Sequence, residues 1–281
     1  MSIELSVLVP HVPSIIDEKK APEFQKDVVA SMKKLSREIE AISPDVIVLV
    51  SCHWPSTFFH YVDCTPVHEG SLTSSEAPDM IKDVPYHFPG DEELGNQLVE
   101  AGVKAGLDVK GVNDPYYVWD YGSVVPLRYL TPKGDIPVIN LSVTLAASIE
   151  ETYKWGEVIA QVLRDSDKKC VFLSSGALSH NLVRGRHNKP TVSEHALDKQ
   201  FVRLIEDRDY ESAYSMLPEY ARMAKVESGG RHIAMLLSMI EKDWTPSYLA
   251  DCQSSGSWNA LITFAEKDYS HLAVNPKIVL S

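Results

Sequence analysis

The sequence predicts an α/β fold: a single domain with a largely parallel central sheet flanked by helices on both faces. Two observations carry this. Short runs such as "DVIVLVSC" (45–52) and "KCVFLSS" (169–175) are apolar at nearly every position and rich in Val, which is how strands buried on both faces read. Between such runs lie stretches with apolar residues three and four apart, the helical spacing. Alternation of the two over most of the chain indicates parallel strands joined by crossover helices. No internal repeat, low-complexity tract or Gly/Ser linker interrupts the 281 residues, so one domain over 1–281 is expected.

"IELSVLV" (3–9) is the first strand. "PEFQKDVVASMKKLSREIEAI" (22–42) is a helix, with Phe24, Val28, Val29, Met32 and Leu35 on one face. Strands follow at 45–52 and, in "TFFHYV", at 57–62. Residues 64–90 hold Pro66, Pro78, Pro85 and Pro89 and read as a long loop that folds over another part of the molecule. A helix over 91–106 opens on acidic residues that suit a helix N-terminus and ends near Gly106. "DIPVINLSV" (135–143) is a strand, and the helix over 148–166 begins with Ser148 and carries Glu151 three residues on, a capping-box pattern. After the strand at 169–175, helices are expected at 192–206, 209–217 and 228–242, then strands at 247–253 and 258–266.

A net charge of −12 argues against broad binding to nucleic acid or anionic membranes. It leaves room for an anionic small substrate at a local Arg cluster. The start "MSIELSVLVP" lacks a basic segment followed by a long apolar one, and no apolar run approaches the roughly 18 residues of a membrane span. Cys52, Cys64, Cys170 and Cys252 form no C-x-x-C pair and read as buried, reduced thiols. A cytoplasmic protein is the expectation.

In open α/β sheets, ligands bind beyond the carboxyl ends of the strands. Three histidines fall at such ends: His11 in "VPHVPSIID", His53 in "VSCHWP" and His180 in "VFLSSGALSH". Pro10 and Pro13 restrict the backbone around His11 and so fix where the imidazole points. A lone histidine at such a place is commonly packing; three together suggest a site. Glu227, directly before Ser228-Gly229-Gly230 and an apolar helix, offers a carboxylate, although an acid at a helix N-terminus is also explained by the helix dipole. Two histidines and a carboxylate make the facial triad of non-haem Fe(II) oxygenases, and the same ligand types serve a hydrolytic zinc ion. His60 reads as core packing, and His68, His187, His195 and His271 as surface residues. His87 and His232 are candidates to line or back the site.

"LVPHVP", "SCHWP", "DYGSVVPLRYL", "SSGALSHNL" and "VESGGRHIAMLL" resemble, in order, the motifs of the class III extradiol ring-cleavage dioxygenases, those like the protocatechuate 4,5-dioxygenase β-subunit. The resemblance runs from residue 6 to about 240. It implies Fe(II) held by His11, His53 and Glu227, with His180 as the acid–base residue. Where the family commonly has Asp-His-Gly, this chain has Asp120-Tyr121-Gly122, which resembles the 2-aminophenol-cleaving branch. A tyrosine, with an ordinary pKa of about 10, is a poorer base than a histidine at about 6.5. Tyr121 is therefore expected to orient or touch substrate beside Asp120, or to be one aromatic wall with Tyr116, Tyr117 and Trp119.

The implied reaction is ring opening of a 2-aminophenol or catechol by dioxygen to a semialdehyde. His180 would take a proton from the substrate and return it later. Arg184, Arg186 and Arg231 are candidates to hold a substrate carboxylate, Arg184 and His232 being placed at the substrate with Asp120, Tyr116 and Trp119. The implied partners are a small aromatic substrate, dioxygen, and further copies of the chain or an α-subunit. A zinc hydrolase using the same residues and a non-catalytic family member are the alternatives.

Overall fold

The computed structural model describes residues 3–274. Among them are ten strands: β1 (Ile3–Val9), β2 (Val46–Ser56), β3 (His60–Asp63), β4 (Val67–Leu72), β5 (Val84–Pro89), β6 (Val109–Val112), β7 (Val138–Thr144), β8 (Cys170–Ser175), β9 (Thr245–Ser254) and β10 (Ser257–Ala265). Eight build one sheet in the order β6-β3-β7-β2-β8-β1-β10-β9, while β4 and β5 form a separate antiparallel hairpin. The central run β7-β2-β8-β1 is parallel throughout, as is β3–β6. Antiparallel pairs join β3 to β7 and add the hairpin β9–β10 beside β1.

Successive side chains of a strand point to opposite faces. In β2, Val46, Val48 and Val50 enter one core, while Ile47 and Leu49 enter the other. The first core is covered by α2 (Glu92–Lys104), α4 (Ile149–Asp165), α5 (Val192–Glu206), α6 (Tyr210–Met223) and α7 (Arg231–Met239). The second lies under α1 (Lys26–Ile42), α3 (Tyr121–Leu130) and residues Leu72, Tyr86 and Phe88 of the hairpin. Helix starts follow capping chemistry. Ser148 accepts the amide of Glu151, and Thr191 and Glu194 form a full capping box.

The departures from expectation have local causes. The helix over 22–42 begins at Lys26 after a 3-10 turn at Glu23–Gln25, and the strand expected at 57–62 occupies His60–Asp63. Helix α6 runs on to Met223, through Pro218, and α7 stops at Met239. The proline-rich stretch 64–90 is not a plain loop, because β4 and β5 pair across it. Helix α3 is capped by Asp120 but carries Pro126 in its interior and is buried at nine of ten positions, so it shows no polar face. All four cysteines are buried, and burial pushes the thiols of Cys64 and Cys170 up to about 11. No helix among the described residues is long and apolar enough to cross a membrane.

His68 is buried rather than at the surface, because the hairpin folds it onto Asp63 at 3.3 Å and its Nε2 meets the Val138 carbonyl at 3.0 Å. Asp63, itself buried, also accepts the Trp119 indole N–H at 3.0 Å and the Thr65 amide at 3.1 Å. Burial pushes the Asp63 carboxyl up, but His68 and these donors outweigh it and hold the group below its ordinary value. A depressed folded-state value stabilises the fold above the unfolded value of about 3.9 and ceases to do so as pH falls through the folded one. Asp63→Ala should therefore cost about 2–4 kcal/mol in urea unfolding near neutral pH, since it strands two buried donors. Asp63→Asn should lose less stability than wild type when pH is taken from 5 to 3.

Candidate active site

Strand register explains why His11 and His53 meet. Val9 of β1 and Ser51 of β2 both pair with Ser175, the last residue of β8 that lies between them. Two residues beyond each partner comes a histidine, so the imidazoles face each other over the tip of β8. Their ring centroids are 4.8 Å apart and their planes nearly perpendicular.

Glu227 arrives from the other side. The residues after β8 form a short bridge between Ser179 and Val226, and the Glu227 amide donates to the Leu178 carbonyl. Ser228, Gly229 and Gly230 then take φ of 49°, 62° and 79°, a left-handed turn that lets α7 start at once beneath the site. Arg231 locks this turn by donating to the carbonyls of Ser228, Leu145 and Ala147. A side chain at Gly230 would press on Leu217 at 3.0 Å, and one at Gly176 would collide with the His232 ring at 2.4 Å.

The donor atoms converge. Glu227 Oε2 accepts the Ala177 amide at 2.6 Å, which turns Oε1 towards His11 Nε2 at 3.2 Å and His53 Nε2 at 3.3 Å. The three residues offer ligand atoms all within 4.8 Å of one another, a set that could hold a metal ion. Outer contacts settle the tautomer of His11. Ser175 Oγ donates its proton to the Gly122 carbonyl at 2.5 Å, so towards His11 Nδ1 at 2.9 Å it can only accept. His11 thus carries a proton on Nδ1, and Nε2 is the nitrogen turned towards Glu227. Ser51 Oγ accepts the His53 amide at 3.1 Å and donates to Asp120 at 2.6 Å, which ties His53 to the start of α3.

The electrostatics follow from burial and these neighbours. Burial pushes the Glu227 carboxyl up, but the imidazoles of His11 and His53 and the nearby His180 outweigh it and hold the group well below the ordinary carboxylate range. Burial lowers His53, yet the Glu227 hydrogen bond and the charges of Glu227, Asp120 and Glu76 leave it raised. His180 is lowered, mainly by burial. Its Nε2 lies 3.8 Å from Glu227 Oε1, and its backbone is held by a neighbouring network in which Ser179 and Tyr220 donate to buried Asp198 at 2.6 Å each.

A cavity of about 210 Å³ opens onto this cluster, lined among others by His11, His53, Tyr121, His180, Glu76 and Arg186. The family profile described as "Catalytic LigB subunit of aromatic ring-opening dioxygenase" matches residues 5–263. The chain belongs to this family. It is an extradiol dioxygenase, an oxidoreductase that opens aromatic rings. Across 92% of its length it is 27% identical to 3,4-dihydroxyphenylacetate 2,3-dioxygenase of Escherichia coli, covering 98% of that protein. It is 24% identical to the 2-aminophenol 1,6-dioxygenase beta subunit of a Pseudomonas species, over 81% of this chain and 84% of that one. The crystal structure of an uncharacterized Escherichia coli K12 protein shares the fold with a TM-score of 0.68, at 19% identity over 92% of this chain and 99% of the other.

Of the residues expected at the substrate of this dioxygenase, Tyr121 lines the cavity and packs on His53 with centroids 4.0 Å apart. Most of the others do not line it. Tyr116 is 90% exposed and Trp119 is buried in the core against Asp63. Asp120 caps α3 and holds Ser51 and Ser123 instead of facing the cavity. Arg184 points to solvent, and Arg231 is consumed in the Ser228 turn, which leaves Arg186 as the arginine of the three at the cavity. His232 is fully buried behind Gly176, and burial lowers it to about 4. His87 stands on the hairpin surface beside Glu69. Glu76, Met80 and the Ser254–Ser257 turn line the cavity without having been singled out in the sequence. An isolated Glu in a proline-rich stretch carries no periodic signal.

The Gly in Asp120-Tyr121-Gly122 has a packing reason. A Cβ there would sit 2.4 Å from Ser51 Oγ and 2.9 Å from Asp120 Oδ1. Gly122→Ala should cost about 1–3 kcal/mol in chemical denaturation. It should also weaken ring-cleavage activity more than its stability loss explains, since the displaced Ser51 supports His53.

Proposed function

We propose that His11 and His53, through Nε2, and Glu227, through Oε1, hold a ferrous ion, and that this centre opens the ring of a 2-aminophenol or a catechol. The observation that carries the reading is the convergence of three donor atoms whose outer partners already fix their direction. A two-imidazole, one-carboxylate set with open positions suits non-haem iron. When bound, such an ion supplies Lewis acidity and the one-electron chemistry that dioxygen requires.

The protein's own residues do the rest. His180 faces the triad from the segment that follows β8, and burial lowers it, so it can take the proton of a ring hydroxyl and later give it back. Tyr121 packs against His53 and bounds the ring. Arg186 stands on the far wall beside the Ser254–Ser257 turn and is placed to pair with an anionic ring substituent. Tyr121 in place of the family's usual His favours the 2-aminophenol reading, while the relatives are divided between one named for 3,4-dihydroxyphenylacetate and one named for 2-aminophenol. The chain is also 22% identical to the alpha subunit of that enzyme, and we infer that it works as an oligomer with itself or with a related chain.

His53→Ala and Glu227→Ala should lose both iron, measured by metal analysis after anaerobic purification, and oxygen uptake on 2-aminophenol and catechol. His180→Ala should retain iron and lose turnover by about 10²–10⁴-fold. A His180→Ala enzyme at wild-type rate would remove that residue from the reaction. Ser175→Ala should weaken metal binding by about 10–100-fold, because His11 loses the partner that fixes its tautomer. Stoichiometric zinc with no oxygen uptake would favour a hydrolase.

A further inference from the structure

The segment joining β4 to β5 carries a group that the reaction above does not use. Buried Ser74 accepts the amides of Glu76 and Ala77 through Oγ at 3.2 Å each, and its own amide donates to Ile81 at 3.1 Å. Leu72 and Ile81 root this turn in the core. It is therefore a built structure, and it sets Glu76, Ala77 and Met80 against the cavity. Glu76 Oε2 accepts the Tyr121 hydroxyl at 2.7 Å and lies 3.6 Å from His53 Nδ1.

A phenol has one proton to give. Tyr121 gives it to Glu76, so its oxygen has only lone pairs to offer the cavity. The wall beside His53 then offers the cavity two acceptors, the Tyr121 oxygen and the Glu76 carboxylate. An amino group whose lone pair is bound by a cation still carries N–H donors for such a wall. A catechol oxygen that has lost its proton carries none and meets repulsion from both acceptors, and one that keeps its proton offers a single O–H where the amine offers two N–H donors. A site built to hydrogen-bond a substrate N–H disfavours an analogue lacking it, here by a moderate factor because the Glu76 side chain is 62% exposed.

We propose that Glu76 is a specificity-determining residue: by accepting the Tyr121 hydroxyl's hydrogen bond it makes this wall an acceptor surface that selects the amino group of a 2-aminophenol over the second oxygen of a catechol. The assignment rests on the metal-centred reading given above. It makes Glu76, and not Tyr121 alone, the reason for the preference, since a Tyr121 free of Glu76 would rotate its hydroxyl and donate to an oxygen.

The test is calorimetric titration under nitrogen, where no turnover occurs, of ferrous-loaded protein with 2-aminophenol and with catechol. Wild type should bind 2-aminophenol more tightly. Glu76→Ala should shrink the ratio of the two Kd values about tenfold or more, the loss of one charge-assisted hydrogen bond. Glu76→Gln, which keeps an accepting oxygen, should retain most of the ratio. Tyr121→Phe should shrink it as Glu76→Ala does, and the double variant should shrink it no further. A merely structural role would weaken both ligands alike and leave the ratio unmoved. An unmoved ratio in Glu76→Ala, or a wild type that prefers catechol, overturns the proposal and leaves the metal centre standing. A wild type that binds neither compound overturns both.

Discussion

The structure turns on one buried carboxylate. Glu227 lies 5% exposed with its charge directed at two imidazoles. An ionised carboxylate removed from water costs several kcal/mol unless charges and hydrogen bonds compensate it. Here the compensation is the Ala177 amide on one oxygen and His11 and His53 on the other. That division of labour leaves Oε1 and the two Nε2 atoms sharing a small volume in which a cation is the natural occupant. The left-handed Ser228-Gly229-Gly230 turn, the lock by Arg231 and the tight packing at Gly176 and Gly230 all serve to deliver this one group to the strand tips.

The sheet supplies the precision. His11 and His53 need no long reach, because parallel register places each two residues past a common partner, Ser175. The same serine orients His11 and anchors to Gly122 at the start of α3, so three elements meet at a single hydroxyl. His180 stands slightly farther off, on the segment that follows β8, where Asp198, Ser179 and Tyr220 form a hydrogen-bonded brace behind it. His11 and His53 sit just past strand ends or at them, and one side of the cavity they line is formed by the turn between β4 and β5. The active site thus joins a rigid floor to a separately built wall.

Much of this is legible in the sequence because the central strands are apolar on both faces and the histidines follow them directly. The runs at 45–52 and 169–175 could hardly be anything but buried strands, and His11 and His53 stand out at the ends of the runs at 3–9 and 45–52, whereas Glu227 follows no strand and is marked only by the Ser-Gly-Gly turn after it. What escapes has physical causes. The strands Val67–Leu72 and Val84–Pro89 alternate exposed and buried positions and carry proline, so they read as loop. Trp119 and Tyr116 are three residues apart in chain, yet one is core and the other solvent, a difference set by contacts of Trp119 with Asp63, His68, Tyr86 and Phe88 that only the fold brings together. His68 reads as a surface residue because its partner, Asp63, is brought to it only by the fold. Glu76 is one of many acids in a chain of net charge −12, and nothing short of tertiary contact distinguishes it.

The most direct measurement is X-ray diffraction at the iron absorption edge from crystals grown anaerobically, without added metal. The account expects one anomalous peak, within coordination distance of His11 Nε2, His53 Nε2 and Glu227 Oε1 together. No peak there, or iron bound elsewhere on the chain with these three side chains uncoordinated, would contradict it.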